Sequence, residues 1–246
     1  MKEFFKKYRH AWVLLYFFVY MAWFLILENT VTTQYHSVHI WLDDWIPFNE
    51  FFVIPYLLWF LYIAISVLYF FFAAPREEYY RYTAFLFIGM TICLIIYSIW
   101  PNGQDLRPNQ FPRENLLTDL VRYLYSTDTP TNVCPSIHAF NSIAAHIAIC
   151  KNKKLGTNRW IRYGSLVLMV SITLSTMFLK QHSAFDVICA LILSGIMYKL
   201  VYATDYTMLF RRFHKRRNST GVEADIPQDY RIMSALGGLS PKTPLG

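Results

Sequence analysis

The sequence alternates between long apolar runs and stretches that hold most of its polar and charged residues. An apolar helix of about 20 residues is long enough to cross the hydrocarbon core of a bilayer. The pattern therefore predicts an all-α membrane protein in which six transmembrane helices form one bundle. The six runs occupy residues 11–27, 51–74, 82–100, 135–150, 161–179 and 187–202.

The composition supports this interpretation. Of the 246 residues, 55% are hydrophobic and 16% are charged, a balance that is too apolar for a soluble globular domain. We expect one transmembrane domain over residues 1–210. Residues 211–246 begin with a basic cluster and continue with Gly, Ser, Pro and acidic residues without periodicity, which predicts a disordered cytoplasmic tail.

The formal net charge of +7 comes largely from Lys and Arg clusters that flank the apolar runs. The segment 151–162 is strongly basic, whereas the linker 28–49 contains no Lys or Arg and carries Asp43 and Asp44. Because basic loops remain in the cytoplasm, the distribution predicts a multi-pass plasma-membrane protein with both termini cytoplasmic. Contact with the bilayer explains the charge, so we expect no nucleic-acid partner.

The third linker, residues 101–133, is too long to serve only as a connection between two helices. Within it, residues 115–125 have the apolar spacing of a short helix. We expect this helix to lie along the membrane surface, on the extracytoplasmic side.

Polar side chains interrupt the apolar pattern between the fifth and sixth runs, in the stretch 180–186 with the sequence KQHSAFD. His182 and Asp186 are four residues apart, a spacing that puts both on one face of a helix. The carboxylate can then hold the imidazole in one orientation, as a nucleophile or base requires. Ionisable residues are costly at a membrane boundary, so the pair is a candidate functional site.

Two further polar groups fall on the same extracytoplasmic side in this topology. One is Arg107 in the third linker, and the other comprises Ser136 and His138 at the start of the fourth run. Pro135 suits the first position of a helix, because its missing N–H group costs nothing there. The free amides that follow lie at a positive helix end, which favours phosphate binding.

The set of motifs resembles that of the type 2 phosphatidic acid phosphatase (PAP2) superfamily of membrane lipid phosphatases and phosphotransferases. The matching residues are Arg107-Pro108, Pro135-Ser136-x-His138, and Ser175 with His182 and Asp186. The chain departs from the family pattern at Trp100, Ile137 and Thr176, where the family has Lys, Gly and Arg. The motifs look closer to the inositolphosphorylceramide-synthase and sphingomyelin-synthase branch.

The resemblance implies a six-helix PAP2-like fold and a phosphohistidine mechanism on a phosphorylated lipid. His182 would attack phosphorus, Asp186 would orient it, and His138 would protonate the leaving oxygen. Hydrolysis is the leading reaction, and transfer of a phospho-headgroup to a second lipid alcohol is the alternative. No metal, cofactor or obligatory protein partner is implied. Three side chains would hold the phosphoryl oxygens: Arg107, Ser136 and Lys180.

Other interpretations of the same residues remain open. The pair of His182 and Asp186 could only anchor a helix, with His138 a hydrogen-bonded core residue. A transporter or lipid-flipping protein would place polar residues along the middle of its helices. A metal hydrolase could use both histidines and Asp186 as ligands. A catalytically inactive scaffold would be expected to lose one of the two histidines.

Overall fold

The computed structural model describes residues 9–31 and 33–204 of the chain. The basic residues before position 9 and the predicted tail 211–246 lie outside the described residues. The helices, after a 3-10 turn Arg9–Leu15, are α1 Tyr16–Thr30, α2 Trp41–Trp45, α3 Val53–Phe72, α4 Arg76–Ile99, α5 Leu116–Thr127, α6 Ile137–Lys151, α7 Arg159–Phe178 and α8 Ala184–Tyr198. Two short strands are β1 His36–Ser37 and β2 Asn102–Gly103.

The predicted all-α membrane character is confirmed. Five helical segments are long and apolar enough to cross a bilayer, and they contain α1, α3, α4, α7 and α8. These segments are His10–Thr30, Glu50–Phe72, Arg76–Ile99, Arg159–Phe178 and Ala184–Ala203. The structure therefore supports five of the six predicted spans.

The fourth apolar run forms α6, which differs from the other long helices. It has 15 residues and is about 22 Å long at 1.5 Å per residue, shorter than the hydrocarbon core of about 30 Å. Ten of its side chains are buried, and it contacts α3, α4, α7 and α8. This helix is therefore the centre of the bundle rather than one of its lipid-facing walls.

Small side chains allow α6 to be surrounded in this way. Ala139, Ala144, Ala145 and Ala148 are almost fully buried, and small residues let neighbouring helix backbones approach closely. Gly89 of α4 also permits this close approach, because a Cβ atom there would lie 2.0 Å from the ring of Phe140.

The linkers at one end of the bundle pack together. Strand β1 pairs in parallel with β2, and Gly103 forms an isolated antiparallel bridge with Thr131. A Cβ atom at Gly103 would lie 2.6 Å from the Tyr35 ring and 2.9 Å from the Pro130 carbonyl oxygen. The first and third linkers thus meet where α1 and α4 end and where α3 and α6 begin.

The short helix predicted in the third linker is present as α5 Leu116–Thr127. Asn115 begins it, because its side-chain oxygen accepts a hydrogen bond from the main-chain N–H of Thr118 at 3.0 Å. Val121 and Leu124 are buried in a cluster with residues of α3 and with Leu179. The helix is therefore packed against the bundle at the end that carries the linkers.

Candidate active site

The turn between α7 and α8 carries His182 and is held from three sides. The successive carbonyl oxygens of residues 178–180 accept hydrogen bonds from three different segments of the chain. The donors are the Asn49 N–H at 3.0 Å, Tyr125 Oη at 2.6 Å and Gln104 Nε2 at 2.8 Å. Because both linkers contribute donors, they determine where the turn sits on the bundle.

Asp186 holds both the start of α8 and the imidazole of His182. Its Oδ2 accepts the main-chain N–H of Ser183 at 2.9 Å and contacts His182 Nδ1 at 3.3 Å. The carboxylate is fully buried and His182 is 6% exposed. Because an ionised carboxylate only accepts hydrogen bonds, this contact favours the imidazole tautomer with its proton on Nδ1 and its lone pair on Nε2.

His138 lies in the first turn of α6 and faces this imidazole. His138 Nδ1 is 3.4 Å from His182 Nε2. The His138 ring packs against Tyr56 and Trp59 of α3, with centroid separations of 4.8 and 4.4 Å. The structure thus brings together the three residues predicted to be catalytic, although His138 lies in α6, Asp186 in α8 and His182 in the turn before α8.

Ser136 is the N-cap of α6. Its Oγ accepts the main-chain N–H of Ala139 at 3.3 Å, and its own N–H donates to the Asp186 carbonyl oxygen at 3.1 Å. The side chain is fully buried. Ser136 therefore joins the starts of α6 and α8, and its predicted contact with phosphate stays a prediction.

Arg107 reaches the site through Gln181, the residue before His182. Its guanidinium donates to Gln181 Oε1 at 2.5 Å and to the carbonyl oxygens of Asp128 at 2.7 Å and Tyr125 at 3.1 Å. Burial lowers the pKa of Arg107. In the described contacts, Arg107 holds the polar network beside His182, and its contact with phosphate stays a prediction.

Lys180 is directed elsewhere. Its Nζ donates to the Asp43 carbonyl oxygen at 2.8 Å, and its backbone has a φ of 52°. Burial lowers its pKa. The structure therefore brings Lys180 to the first linker and not to the two imidazoles, in contrast to the position expected of a phosphate ligand.

Asp43 is a structural partner of the site that sequence reasoning missed. Its Oδ2 accepts Ser183 Oγ at 2.6 Å and its Oδ1 accepts the main-chain N–H of Ala184 at 2.7 Å. The residue is 2% exposed. A carboxylate here satisfies free donors at the start of α8, directly after His182. The only signal in the sequence was an acidic residue among the aromatic residues of the first linker.

A cavity of about 900 Å³ leads to the two imidazoles. Its polar end is lined by His138, His182, Tyr56, Asp128 and Gln181. The rest of its wall comes largely from apolar side chains of α1, α3 and α4, among them Phe17, Met21, Phe24, Ile63, Val67 and Phe87. The cavity can therefore accept a molecule with a polar group at one end and a long apolar part.

Across residues 9–31 and 33–204, no three His, Cys, Asp or Glu side chains are grouped so as to hold a metal ion. Comparisons of the chain with protein-family models, with curated proteins and with solved structures give no match.

Proposed function

We propose that the chain is an integral membrane enzyme that removes phosphate from a phosphorylated lipid through a phosphohistidine on His182. The observation that carries the proposal is the orientation of this imidazole. Its Nδ1 contacts the Asp186 carboxylate and its Nε2 faces His138, at the polar end of a cavity with apolar walls. An imidazole held in this way is a nucleophile with a proton donor beside it.

The proposed reaction has two steps. The lone pair of His182 Nε2 forms a bond to phosphorus while the bond to the lipid oxygen breaks, and His138 gives that oxygen a proton. Burial lowers the pKa of His138 to about 3, so His138 takes up this proton when the phosphate monoanion binds beside it. Neutral His138 then takes a proton from water, whose oxygen attacks phosphorus as the bond to Nε2 breaks. Asp186 stabilises the positive charge that develops on His182 during the first step.

The start of a helix supplies part of the positive charge that would balance the negative phosphoryl oxygens. The starts of α6 and α8 are joined by the hydrogen bond from Ser136 N–H to the Asp186 carbonyl oxygen. The start of α6 carries a partial positive charge, which favours an anion, whereas the carboxylates of Asp43 and Asp186 already occupy the start of α8. Arg107 adds a full positive charge behind Gln181. These groups support phosphate binding beside His182 without a contact from Lys180.

The resemblance of the motifs to the PAP2 superfamily supports the same reaction. We place the site on the extracytoplasmic side of the plasma membrane, with both termini in the cytoplasm. Transfer of the group to a second lipid alcohol is the alternative reaction. It is favoured by the apolar walls of the cavity, because a lipid alcohol can reach His182 along them as readily as water.

Product analysis of variants tests the proposal. The purified protein is given a panel of phosphorylated lipids, with and without a lipid alcohol, and products are identified by mass spectrometry. We expect His182→Ala to lower turnover by about a thousandfold or more, since its partners cannot replace a nucleophile, and Asp186→Asn to cause a smaller loss. Free phosphate indicates hydrolysis, whereas phosphate that moves to the alcohol indicates transfer.

Two results would contradict the assigned roles. Substantial activity in folded His182→Ala would exclude the phosphohistidine. A wild-type rate in Asp186→Asn would mean that the pair of His182 and Asp186 only anchors α8.

A further inference from the structure

The polar end of the cavity carries negative rather than positive side chains. Among the described residues, the cavity wall contains no Lys or Arg, but it does contain Glu28 and Asp128. A phosphate monoester itself carries a charge of about −1.5 to −2 near pH 7. Two carboxylates on the wall are therefore unfavourable for a ligand whose polar end is only phosphate.

The third linker holds Glu28 in place at the end of α1. Glu28 Oε1 accepts Asn132 Nδ2 at 3.0 Å, and Oε2 accepts Thr129 Oγ1 at 2.5 Å. Each carboxylate oxygen can accept two hydrogen bonds, so the carboxylate keeps capacity for a further donor. All three of these residues line the cavity.

Asp128 connects this region to the candidate catalytic residues. Its Oδ2 accepts Tyr56 Oη at 3.0 Å and Gln181 Nε2 at 3.2 Å. Arg107 donates to the main-chain oxygen of Asp128, not to this carboxylate. Burial raises the pKa of Asp128, and a positively charged ligand next to it would favour the ionised form.

We infer that the substrate is a lipid whose phosphate-bearing end also carries a protonated amine, which Glu28 and Asp128 bind. An ammonium group has three donors and no acceptor, which matches a wall that carries the Glu28 and Asp128 carboxylates. Its charge also offsets part of the phosphate charge where the wall has no Lys or Arg. The inference rests on the function proposed above and adds the chemical class of the substrate.

Two kinds of lipid have this chemistry. In a long-chain 2-amino alcohol phosphate, the P–O bond to the chain breaks, and water releases inorganic phosphate from His182. In a phosphodiester lipid with an amino alcohol headgroup, the bond to the diacylglycerol oxygen breaks, and His138 protonates that oxygen. His182 then carries the phospho-amino alcohol, which water releases intact.

Binding and turnover are measured separately, so that the amine-bearing substrate and the phosphatase activity are tested independently of each other. The binding probes are a long-chain 2-amino alcohol phosphate and an alkyl phosphate of equal chain length, each titrated into His182→Ala, which holds a ligand without turning it over. We expect the amine-bearing lipid to bind about tenfold more tightly, equivalent to about 1.4 kcal/mol. In a His182→Ala background, Glu28→Gln should bring this ratio close to one.

The matched control is Glu114→Gln in the same background. Glu114 is an exposed acid that pairs with Arg122 and does not line the cavity, so the preference should persist. Asp128→Asn gives a second test if Glu28→Gln fails to fold. Equal binding of both probes, or a preference that survives both Glu28→Gln and Asp128→Asn, would overturn the inference.

Turnover by the wild-type chain distinguishes the two lipid sources. Release of inorganic phosphate from the amino alcohol phosphate identifies the monoester, whereas release of a phospho-amino alcohol from a phosphatidylethanolamine vesicle identifies the diester. Rapid turnover of phosphatidic acid, without preference for either amine-bearing lipid, would refute the inference and leave the phosphatase proposal intact. Tight amine-dependent binding without turnover of any lipid would refute the enzymatic proposal and keep the amine site.

Discussion

Each ring nitrogen of His182 has a neighbouring side chain, and the two neighbours together hold the imidazole in one orientation. The Asp186 carboxylate contacts Nδ1, and His138 approaches Nε2 within 3.4 Å. Asp186 is itself fixed by the Ser183 N–H. Each residue of the candidate site is thus oriented by another residue, which limits the rotation that a nucleophile would otherwise retain.

Asp43 offers a prediction at the scale of one residue. Asp43→Ala removes the acceptor for Ser183 Oγ and for the Ala184 N–H, and leaves both donors buried without a partner. We expect a loss of about 1–3 kcal/mol in the free energy of unfolding. We also expect kcat to fall by about tenfold with little change in KM, because Asp43 positions the start of α8 and does not line the cavity.

Thermal unfolding in detergent and steady-state kinetics check this prediction. Asp44→Ala is the matched control, because Asp44 is the adjacent acid, is exposed, and pairs only with His39 among the residues described. If the Asp43 variant lost stability but kept kcat, Asp43 would be a helix cap without a positioning role.

Asp43 and Lys180 also mark the limit of what the sequence could predict about the site. The contact of His182 with Asp186 is local, but the predicted shared helical face is wrong, because His182 lies in the turn before α8. The contact arises where the Asp186 carboxylate turns back to cap the start of α8 at the Ser183 N–H. The contact of Asp43 with Ser183 joins residues 140 positions apart, and no local pattern encodes it. Lys180 has a positive φ in the turn, and its direction depends on that turn rather than on a helical face.

At the scale of helices, the close approach of α4 and α6 gives a second prediction. Gly89→Ala would put a Cβ atom 2.0 Å from the ring of Phe140, which is fully buried. Buried neighbours cannot move without disturbing the core, so we expect a loss of about 1–3 kcal/mol in the free energy of unfolding. A lower midpoint of thermal unfolding in detergent would be the direct observation.

Gly195→Ala in α8 is the control for this substitution. No atom lies within 4 Å of a Cβ built at Gly195, so alanine adds helix propensity without a clash. The variant should keep or raise the unfolding midpoint, by up to about 1 kcal/mol in stability. If both variants behaved alike, the α4–α6 contact would be looser than the structure indicates.

Hydrophobic pattern alone could not separate α6 from the spanning helices. Its apolar run has the composition of a transmembrane segment, yet 15 residues form the helix and most of its surface is buried by protein. A buried helix and a lipid-facing helix both require apolar residues, so the pattern predicts a helix and leaves its surroundings open. The other five apolar runs are present as helices of spanning length.

At the scale of the molecule, the helices alternate in direction, and the candidate catalytic residues lie together at one end of the bundle. The starts of α6 and α8 are linked to each other there, and the segment before α3 is linked to the end of α7 by the hydrogen bond from Asn49 N–H to the Phe178 carbonyl oxygen. Both long linkers cover the same end. The starts of α6 and α8 and the end of α7 therefore lie near His182, with the Asp43 and Asp186 carboxylates capping the start of α8, while the opposite end carries the basic residues 151–162.

The orientation of the whole bundle can be tested with engineered cysteines. Glu114→Cys lies on the linker end and Lys153→Cys on the basic end, and both positions are exposed. Cys150 and Cys189, which are half-buried, are replaced by Ser to lower the background. Because basic loops remain cytoplasmic, an impermeant maleimide added to intact cells should label Glu114→Cys, and should label Lys153→Cys only after permeabilisation. The reverse pattern would put the candidate site in the cytoplasm, where a different supply of phosphorylated lipid would have to reach His182.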